Sequence, residues 1–158
     1  MRRLRGQSIL YVILLMPALL IILSLTVDVG QLQFQRVRIR SAMDLATLSG
    51  AASVDRAHYA RTGQLRLDPD LAIATTRDYL QRNLLQSLGE EQATAIADAA
   101  EISVVNITPG TDPFTGMGFD RPSVSARIRV PYRLNLIGFL GPFGRGSMSL
   151  ASSSQIRS

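Results

Sequence analysis

Few residues in this sequence have the types and spacing that enzyme chemistry needs. His58 is the single histidine, and no serine or acid accompanies it in the pattern of a nucleophile activated by a base. The chain has no cysteine, which excludes disulfides, thiol catalysis and cysteine-ligated zinc. We therefore expect a protein that is not an enzyme and that has no cofactor.

A glycine-rich loop is the one stretch whose composition could hold a ligand. Asp112 and Asp120 bracket it, and Thr115-Gly116-Met117-Gly118 lies between them. The carboxylates lack the dense oxygen spacing of a calcium loop, and the glycines lack the Gly-Lys-Ser/Thr ending of a phosphate loop. We expect no metal and no small-molecule substrate. The alternative is an envelope sensor or binding module whose ligand specificity lies in this loop.

The basic charge of the chain does not indicate nucleic-acid binding. All 17 basic residues are arginine, and they exceed the 12 acidic residues. Two clusters flank an apolar block, and the other arginines are dispersed among acids; the clusters are Arg2, Arg3 and Arg5 and then Arg36, Arg38 and Arg40. Aromatic residues make up only 6%, with no tryptophan, so a base-stacking surface has little to be made of.

The apolar block predicts a transmembrane helix. From Gly6 to Val27 the chain has 22 uncharged residues, about 33 Å of helix, which matches a hydrocarbon core of roughly 30 Å. Pro17 is tolerable as a kink within a membrane helix. A cleaved secretory signal would have a shorter apolar region and a small-x-small site, so we favour a retained anchor. The basic tail ahead of Gly6 favours a cytoplasmic N-terminus.

The helix is predicted to continue beyond the membrane as a stalk. Apolar or small residues recur at steps of three, four or seven, at Leu25, Val29, Leu32, Ile39, Met43, Ala46 and Gly50. Small residues dominate from Ala42 to Ala52 and permit close backbone approach to a sheet or a partner helix. The stalk can pack on its own domain or on another protein.

These elements together resemble the N-terminal signature of the Tad/Flp pilus-assembly proteins of the TadE/TadG-like kind. The resemblance covers about residues 5–52 and comprises an Arg-Gly start, an apolar run with a proline, a V-D-x-G element with Asp28 and Gly30, and a small-residue element with Asp44, Ala46, Gly50 and Ala51. It implies a component of a type IV-like pilus, a minor pilin-like subunit or a membrane-anchored assembly factor.

The chain departs from the pilin pattern at one position. TadE-type pseudopilins resemble type IV pilins in carrying a glutamate five residues after the glycine at which a peptidase cleaves, and here that residue is Tyr11. Gly6 and Gln7 are the possible processing point. The sequence also lacks the Asp-x-Ser-x-Ser motif of the von Willebrand domain in long TadG proteins, so it resembles a short TadG-like or an atypical TadE-like protein.

The remaining chain predicts a small α+β domain. Asp68-Pro69-Asp70 starts a helix that carries a stripe through Leu80 and Leu84 and ends near Gly89. Residues 55–67 read as a connector and residues 90–100 as one or two more helical turns. Strands follow at residues 102–108, at residues 123–134, which alternate cleanly, and at residues 146–156. We expect about three antiparallel strands with the stalk helix against the sheet.

The predicted organisation has four parts, with residues 1–6 as a basic cytoplasmic leader, 7–27 as the transmembrane segment, 28–54 as the helical stalk and 55–158 as the exported α+β domain. The predicted location is the bacterial inner membrane, and the predicted partners are the lipid bilayer and other pilus proteins bound through the stalk.

Two surfaces each have two possible interpretations. Asp28 is an interfacial stop or the partner of a neighbouring subunit's arginine, and Phe139, Leu140 and Phe143 form a partner surface or pack on their own domain.

Overall fold

The structure is a computed structural model that describes residues 4–133 and 145–156, with side chains from residue 11 onwards and, after the gap, from residue 146. Helices come first and strands follow. The described elements are α1 (Leu4–Ala51), α2 (Arg56–Thr62), α3 (Pro69–Leu88), α4 (Glu90–Asp98), β1 (Glu101–Val105), β2 (Gly110–Thr111), β3 (Gly118–Phe119), β4 (Ser123–Arg133) and β5 (Arg145–Gln155). The predicted α+β class and the long N-terminal helix are confirmed.

The chain divides into two compact units. The first comprises Met1–Phe34 and Pro131–Gly146, and it holds the apolar part of α1. The second comprises Gln35–Val130 and Ser147–Ser158. The hydrophobic cores described below lie in the second unit.

Helix boundaries follow the capping residues. The Asp68 side chain accepts a hydrogen bond from the Leu71 N–H (3.2 Å), Pro69 occupies the first turn, and Gly89 ends α3 with a φ of +79°. The stretch predicted as a connector instead contains α2. Asp55 caps this helix by accepting from the His58 N–H (2.8 Å), and Gly63 closes it in the left-handed conformation at a φ of +70°.

The main sheet has three strands in the order β1-β4-β5, with β1 antiparallel to β4. In that register Glu101 lies opposite Arg127 and Val105 lies opposite Ser123. The predicted sheet of about three antiparallel strands is therefore confirmed. A separate two-stranded sheet pairs β2 with β3, within the stretch that the sequence indicated only as a loop.

The core lies between one face of the sheet, helix α3 and the second half of α1, from Ile39 to Ala51. Of the stripe predicted on α1, Ile39, Met43, Ala46 and Gly50 are buried, whereas Leu25 and Val29 are exposed. The main core cluster includes Ile39, Met43, Ala46, Leu80, Leu84, Ala126, Ile128, Val130 and Leu150. A second cluster joins the end of α1 to β4 through Ala51, Leu67, Ala72, Val124 and Ile156. Burial of these side chains removes apolar surface from water and is the main stabilising force.

The outer face of β4 is also partly covered, which alternation alone does not predict. Ser123 and Ser125 are both fully buried although they alternate with the core residues. The β2–β3 hairpin lies over this face, because the Arg127 guanidinium stacks 4.9 Å from the centre of the Phe114 ring. The hairpin therefore covers the beginning of this face, from Ser123 to Arg127, while Arg129 stays exposed.

Asn106 fastens the chain segment between α2 and α3 to the end of β1. Its Oδ1 accepts a hydrogen bond from the Leu67 N–H (2.8 Å), and its Nδ2 donates one to the Leu67 carbonyl (3.0 Å). Leu67 itself is fully buried, so both of its backbone groups need partners.

Replacing Asn106 with alanine is expected to lower the free energy of unfolding by about 1–3 kcal/mol, because two buried backbone groups lose their partners. Thermal unfolding of the full chain, followed by circular dichroism, measures this loss. Ile107→Ala is the matched control, because that neighbouring side chain is 83% exposed, and its effect should stay within about 0.5 kcal/mol. Equal effects of the two substitutions would contradict the assigned role of Asn106.

Candidate functional site

The first part of α1 presents apolar side chains outward on every side. From Tyr11 to Leu25 the large hydrophobic residues are about half or more exposed, and only 6% of the most apolar 18-residue window is buried. Within the part of the chain that the structure describes, α1 is the helix long and apolar enough to cross a membrane. Pro17 lies inside this helix, as a lipid-embedded helix tolerates. Such a surface is stable in hydrocarbon and unstable in water.

Asp28 marks the end of the uncharged run, and its surroundings are unusual. Its side chain is only 2% exposed, while its neighbours Val27 and Val29 are more than 40% exposed. Asp28 takes part in an interaction within the chain. A buried carboxylate needs such partners. Gly30, two residues further, has open space where a Cβ would lie.

Gly50 lies where α1 packs closely against α3. A Cβ built on Gly50 would lie 2.0 Å from the Thr76 Oγ1 and 3.1 Å from the Ala72 carbonyl oxygen. The Thr76 hydroxyl cannot simply turn away without loss, because it is fully buried and donates to that same carbonyl (2.7 Å). Glycine is therefore required by the packing at this position.

Ala46 and Ala51 complete the small-residue packing of α1. Ala46 is fully buried in the main core, and Ala51 is 3% exposed in the second core cluster. Their methyl groups let the helix approach the sheet and the neighbouring helix closely. The small residues of the stalk thus serve its own domain, which was one of the two readings of the sequence.

Asp44 connects α1 to the last strand through a short polar network. The Ser152 hydroxyl on β5 donates to the Asp44 Oδ1. Thr47, one turn further along α1, is fully buried, and its hydroxyl lies 3.3 Å from Ser152 Oγ and 3.0 Å from Ser154 Oγ. Residues more than 100 positions apart in sequence are therefore joined by side-chain hydrogen bonds, and this pairing was not foreseen from the sequence.

The possible processing point and the possible apolar partner surface are less fully described. Gly6 and Gln7 lie within α1 near its start, and no side-chain geometry is described for them. Phe139, Leu140 and Phe143 lie outside the described residues. Both assignments stay predictions.

The Asp112 side chain is used inside its own loop. It is 1% exposed, accepts from the Phe114 N–H (3.0 Å), and also accepts from the Thr115 hydroxyl. The Asp112 backbone N–H donates to the Met117 carbonyl (2.8 Å), and the Gly116 N–H donates to the Asp112 carbonyl (2.9 Å). The carboxylate therefore organises a tight turn, and Asp120 is exposed and apart from this network.

The hydrogen bonds set the protonation of Asp112. Burial of the side chain on its own raises the pKa of this carboxyl, but the Thr115 hydroxyl and the Phe114 N–H stabilise the charged form and together hold the pKa below its ordinary value. Asp112 is thus ionised and internally satisfied at neutral pH. Among the residues that the structure describes, no group of three or more His, Asp or Glu side chains is placed to hold a metal ion.

His58 lies on α2 and is involved in capping through its backbone. Its N–H donates to Asp55, and its imidazole is partly exposed. Nothing in the described structure brings a nucleophile or an acid to this imidazole in the arrangement of a catalytic site.

These features define a class of protein: a small α+β domain that packs on the second half of a long N-terminal helix, whose first half is apolar enough to cross a membrane. The family model described as putative Flp pilus-assembly TadE/G-like matches residues 6–53. The resemblance predicted from the sequence is confirmed over this segment, which coincides almost completely with α1. No curated protein and no solved structure matches the chain.

Proposed function

We propose that the chain is a non-enzymatic component of a Tad/Flp-type pilus system, either a minor pilin-like subunit or a membrane-anchored assembly factor. The observation that carries the proposal is the coincidence of the family match, residues 6–53, with a helix that is both anchor and platform. The family match supports a pilus-related role. The matched segment also supplies the residues to which the C-terminal domain is fastened.

The contacts between α1 and the C-terminal domain support a structural role rather than a catalytic one. Of the residues that carry the family resemblance, Asp44 binds β5, Ala46 and Ala51 are buried in the cores, and Gly50 permits the crossing with α3. A protein of this kind fastens its exported domain to the stalk that follows the membrane segment. The domain would then contact other pilus proteins, while the bilayer holds the helix.

The proposed topology keeps the four parts that the sequence predicts. Residues 1–6 are a cytoplasmic leader, residues 7–27 cross the inner membrane, residues 28–54 form the stalk and residues 55–158 form the exported domain. The arginines before Gly6 favour a cytoplasmic N-terminus. Protease added to spheroplasts should degrade the exported domain and spare an N-terminal tag.

The intact mass of the protein purified from its native membrane distinguishes the two roles. A chain that begins at Gln7 would have been cleaved after Gly6 and would favour a minor pilin-like subunit. A chain that retains Gly6 would favour a permanent assembly factor, as the replacement of the pilin glutamate by Tyr11 suggests. Shed pili should contain the first species and lack the second.

Asp44→Arg is expected to abolish piliation in a strain that depends on this protein. The substitution removes the acceptor of the Ser152 hydroxyl and puts a cation beside β5. Loss of a hydrogen bond to a charged group lowers the free energy of unfolding by about 1.5–3 kcal/mol. Pili are counted by electron microscopy, with the protein level checked by immunoblot.

Asp120→Arg is the matched control, because Asp120 is an exposed carboxylate in the Gly-rich loop. We expect it to leave piliation unchanged. Normal pili in a strain without the protein would contradict the pilus role. Loss of pili with Asp120→Arg but not with Asp44→Arg would instead favour the loop as a binding site.

A further inference from the structure

The side of α1 that faces away from the core is also apolar. We define the outward stripe as Val37, Ser41, Leu45, Leu48 and Ala52, which follow one another at helical spacing. Val37 is 63% exposed, Leu45 is 55% exposed and Leu48 is 41% exposed. A helix on a soluble domain normally carries polar residues on this side. Here α1 is apolar both towards the core and away from it.

Neither the described parts of the chain nor lipid covers the outward stripe. The exposed fractions above are those left after all described packing. Leu45 and Leu48 follow Asp28 by 17 and 20 positions, which places them about 26–30 Å along the helix from the proposed membrane boundary. Lipid tails do not reach that far, so a protein surface is the cover that remains.

We propose that the outward stripe packs against the outward stripe of a second copy, with the two helices parallel and related by a two-fold axis. Copies anchored in one membrane have the same orientation, so their stalks are parallel and their stripes lie at the same height. A two-fold axis brings identical surfaces together. Ser41 and Ala52 are small and allow the two helices to approach closely.

Charges beside the stripe favour the parallel arrangement. Arg38 and Asp44 are exposed and lie on opposite sides of the outward stripe, about 60° from its centre at 100° per residue. In a parallel pair, residues on one side of the seam of one helix face those on the other side of the seam in its partner. Arg38 of each copy therefore lies on the same side of the seam as Asp44 of the other, about 9 Å away along the helix axis. Arg38 already interacts within its chain, and its five N–H donors leave capacity for a second contact.

A shallow groove beside the stripe offers space for side chains of the second copy. It has a volume of about 220 Å³ and lies between α1 and α3, where Val37 and Leu45 form one wall and Asn83 and Gln86 the other. Interface side chains that enter such concavities usually carry most of the binding energy. The interface thus has an apolar centre with polar groups at its margin.

Disulfide crosslinking of the full chain in its native membrane tests the proposal, and the absence of natural cysteines makes single-cysteine variants unambiguous. Val37→Cys, Leu45→Cys and Leu48→Cys should each give a crosslinked dimer on mild oxidation. Arg36→Cys and Arg40→Cys, exposed on another side of the same helix, are the controls and should stay monomeric. Equal crosslinking at all five positions, or none at the stripe, would overturn the proposal.

Two further measurements separate orientation and charge from other causes. Co-expressed Val37→Cys and Leu48→Cys chains should give far fewer mixed dimers than like pairs, whereas a predominance of mixed dimers would show antiparallel packing and overturn the parallel pair.

In the Leu48→Cys background, Arg38→Asp or Asp44→Arg alone should lower the dimer yield, and both together should restore it. Ser152→Ala, which removes the bond of Asp44 to β5 but keeps the Asp44 charge, should leave the yield unchanged.

The inference rests on the proposed membrane anchoring but not on the pilus role. Extraction of the membranes at alkaline pH tests the anchoring separately, because an integral protein stays with the bilayer. A chain that resists extraction but shows no stripe-specific crosslink would refute the dimer and leave the proposed function intact.

Discussion

Gly50→Val is expected to lower the free energy of unfolding by about 3 kcal/mol, near the upper end of the usual cost of overpacking. Even the first added carbon would lie 2.0 Å from the Thr76 Oγ1 and 3.1 Å from a backbone oxygen of α3, so the two helices must separate. For a domain of about 100 residues this corresponds to a fall in Tm of about 12–24 °C. Thermal unfolding of the full chain in nanodiscs, followed by circular dichroism, measures the change.

Gly30→Val is the matched control, because Gly30 lies on the same helix and has no atom within 4 Å of an added Cβ. It should unfold like the wild type. A second test uses the atom responsible for the clash. In the Gly50→Ala background, Thr76→Ala removes the nearest obstructing oxygen and should recover part of the lost stability. Additive effects of the two alanines would contradict the assigned contact, since contacting residues are expected to be coupled.

Local signals in the sequence predicted those elements whose boundaries depend on neighbouring residues. Asp68, Pro69 and Gly89 fix the ends of α3, and the structure places each in the predicted role. The alternation of β4 predicted its buried face from Val124 to Val130. These signals act within one turn or one strand, so they can be interpreted without the rest of the fold.

Long-range contacts explain what the sequence did not reveal. Alternation predicts Ser123 and Ser125 on the outward side of β4, yet both are buried because the β2–β3 hairpin folds over that side. The hairpin has strands of only two residues, too short for a periodic pattern. Likewise α2 is a seven-residue helix whose ends are set by one aspartate and one glycine. Elements of this length are fixed by their neighbours more than by propensity.

The family segment shows the same division between residue type and role. The richness in small residues predicted close packing along the stalk, and Gly50 and Ala46 do pack closely. The sequence predicted the sheet as one partner of the stalk, and Met43 and Ala46 do pack with Ala126 and Ile128. It could not say that α3 is the other partner, because the close approach at Gly50 is a tertiary contact. Asp44 was assigned from the family resemblance, and its contact with Ser152 gives that assignment a physical basis. The core-facing side of the stalk is thus occupied by packing within the chain, and the outward stripe is left for association with a second copy.

Asp112→Asn is expected to lower the free energy of unfolding at pH 7 by about 1.5–3 kcal/mol, the usual worth of hydrogen bonds to a charged group. Asparagine has nearly the same shape and can still accept from the Phe114 N–H. It has lost the negative charge that the Thr115 hydroxyl also stabilises. Free energies of unfolding of the full chain in nanodiscs, measured in parallel for the two proteins, give this difference.

The same pair of proteins has an expected dependence on pH, because folding lowers the pKa of Asp112 below its ordinary value of 3.8. The unfolded chain therefore binds this proton at a higher pH than the folded chain does. The stabilisation by Asp112 is fully present above about pH 5 and is lost as the pH falls through the folded-state pKa. The difference between wild type and Asp112→Asn should shrink over that acid range, because all other acids titrate in both proteins.

Thr115→Val removes one of the donors that lower the pKa of Asp112, so it should weaken this dependence on pH without abolishing it. A difference that stays constant down to about pH 2 would show that the Asp112 charge does not stabilise the turn.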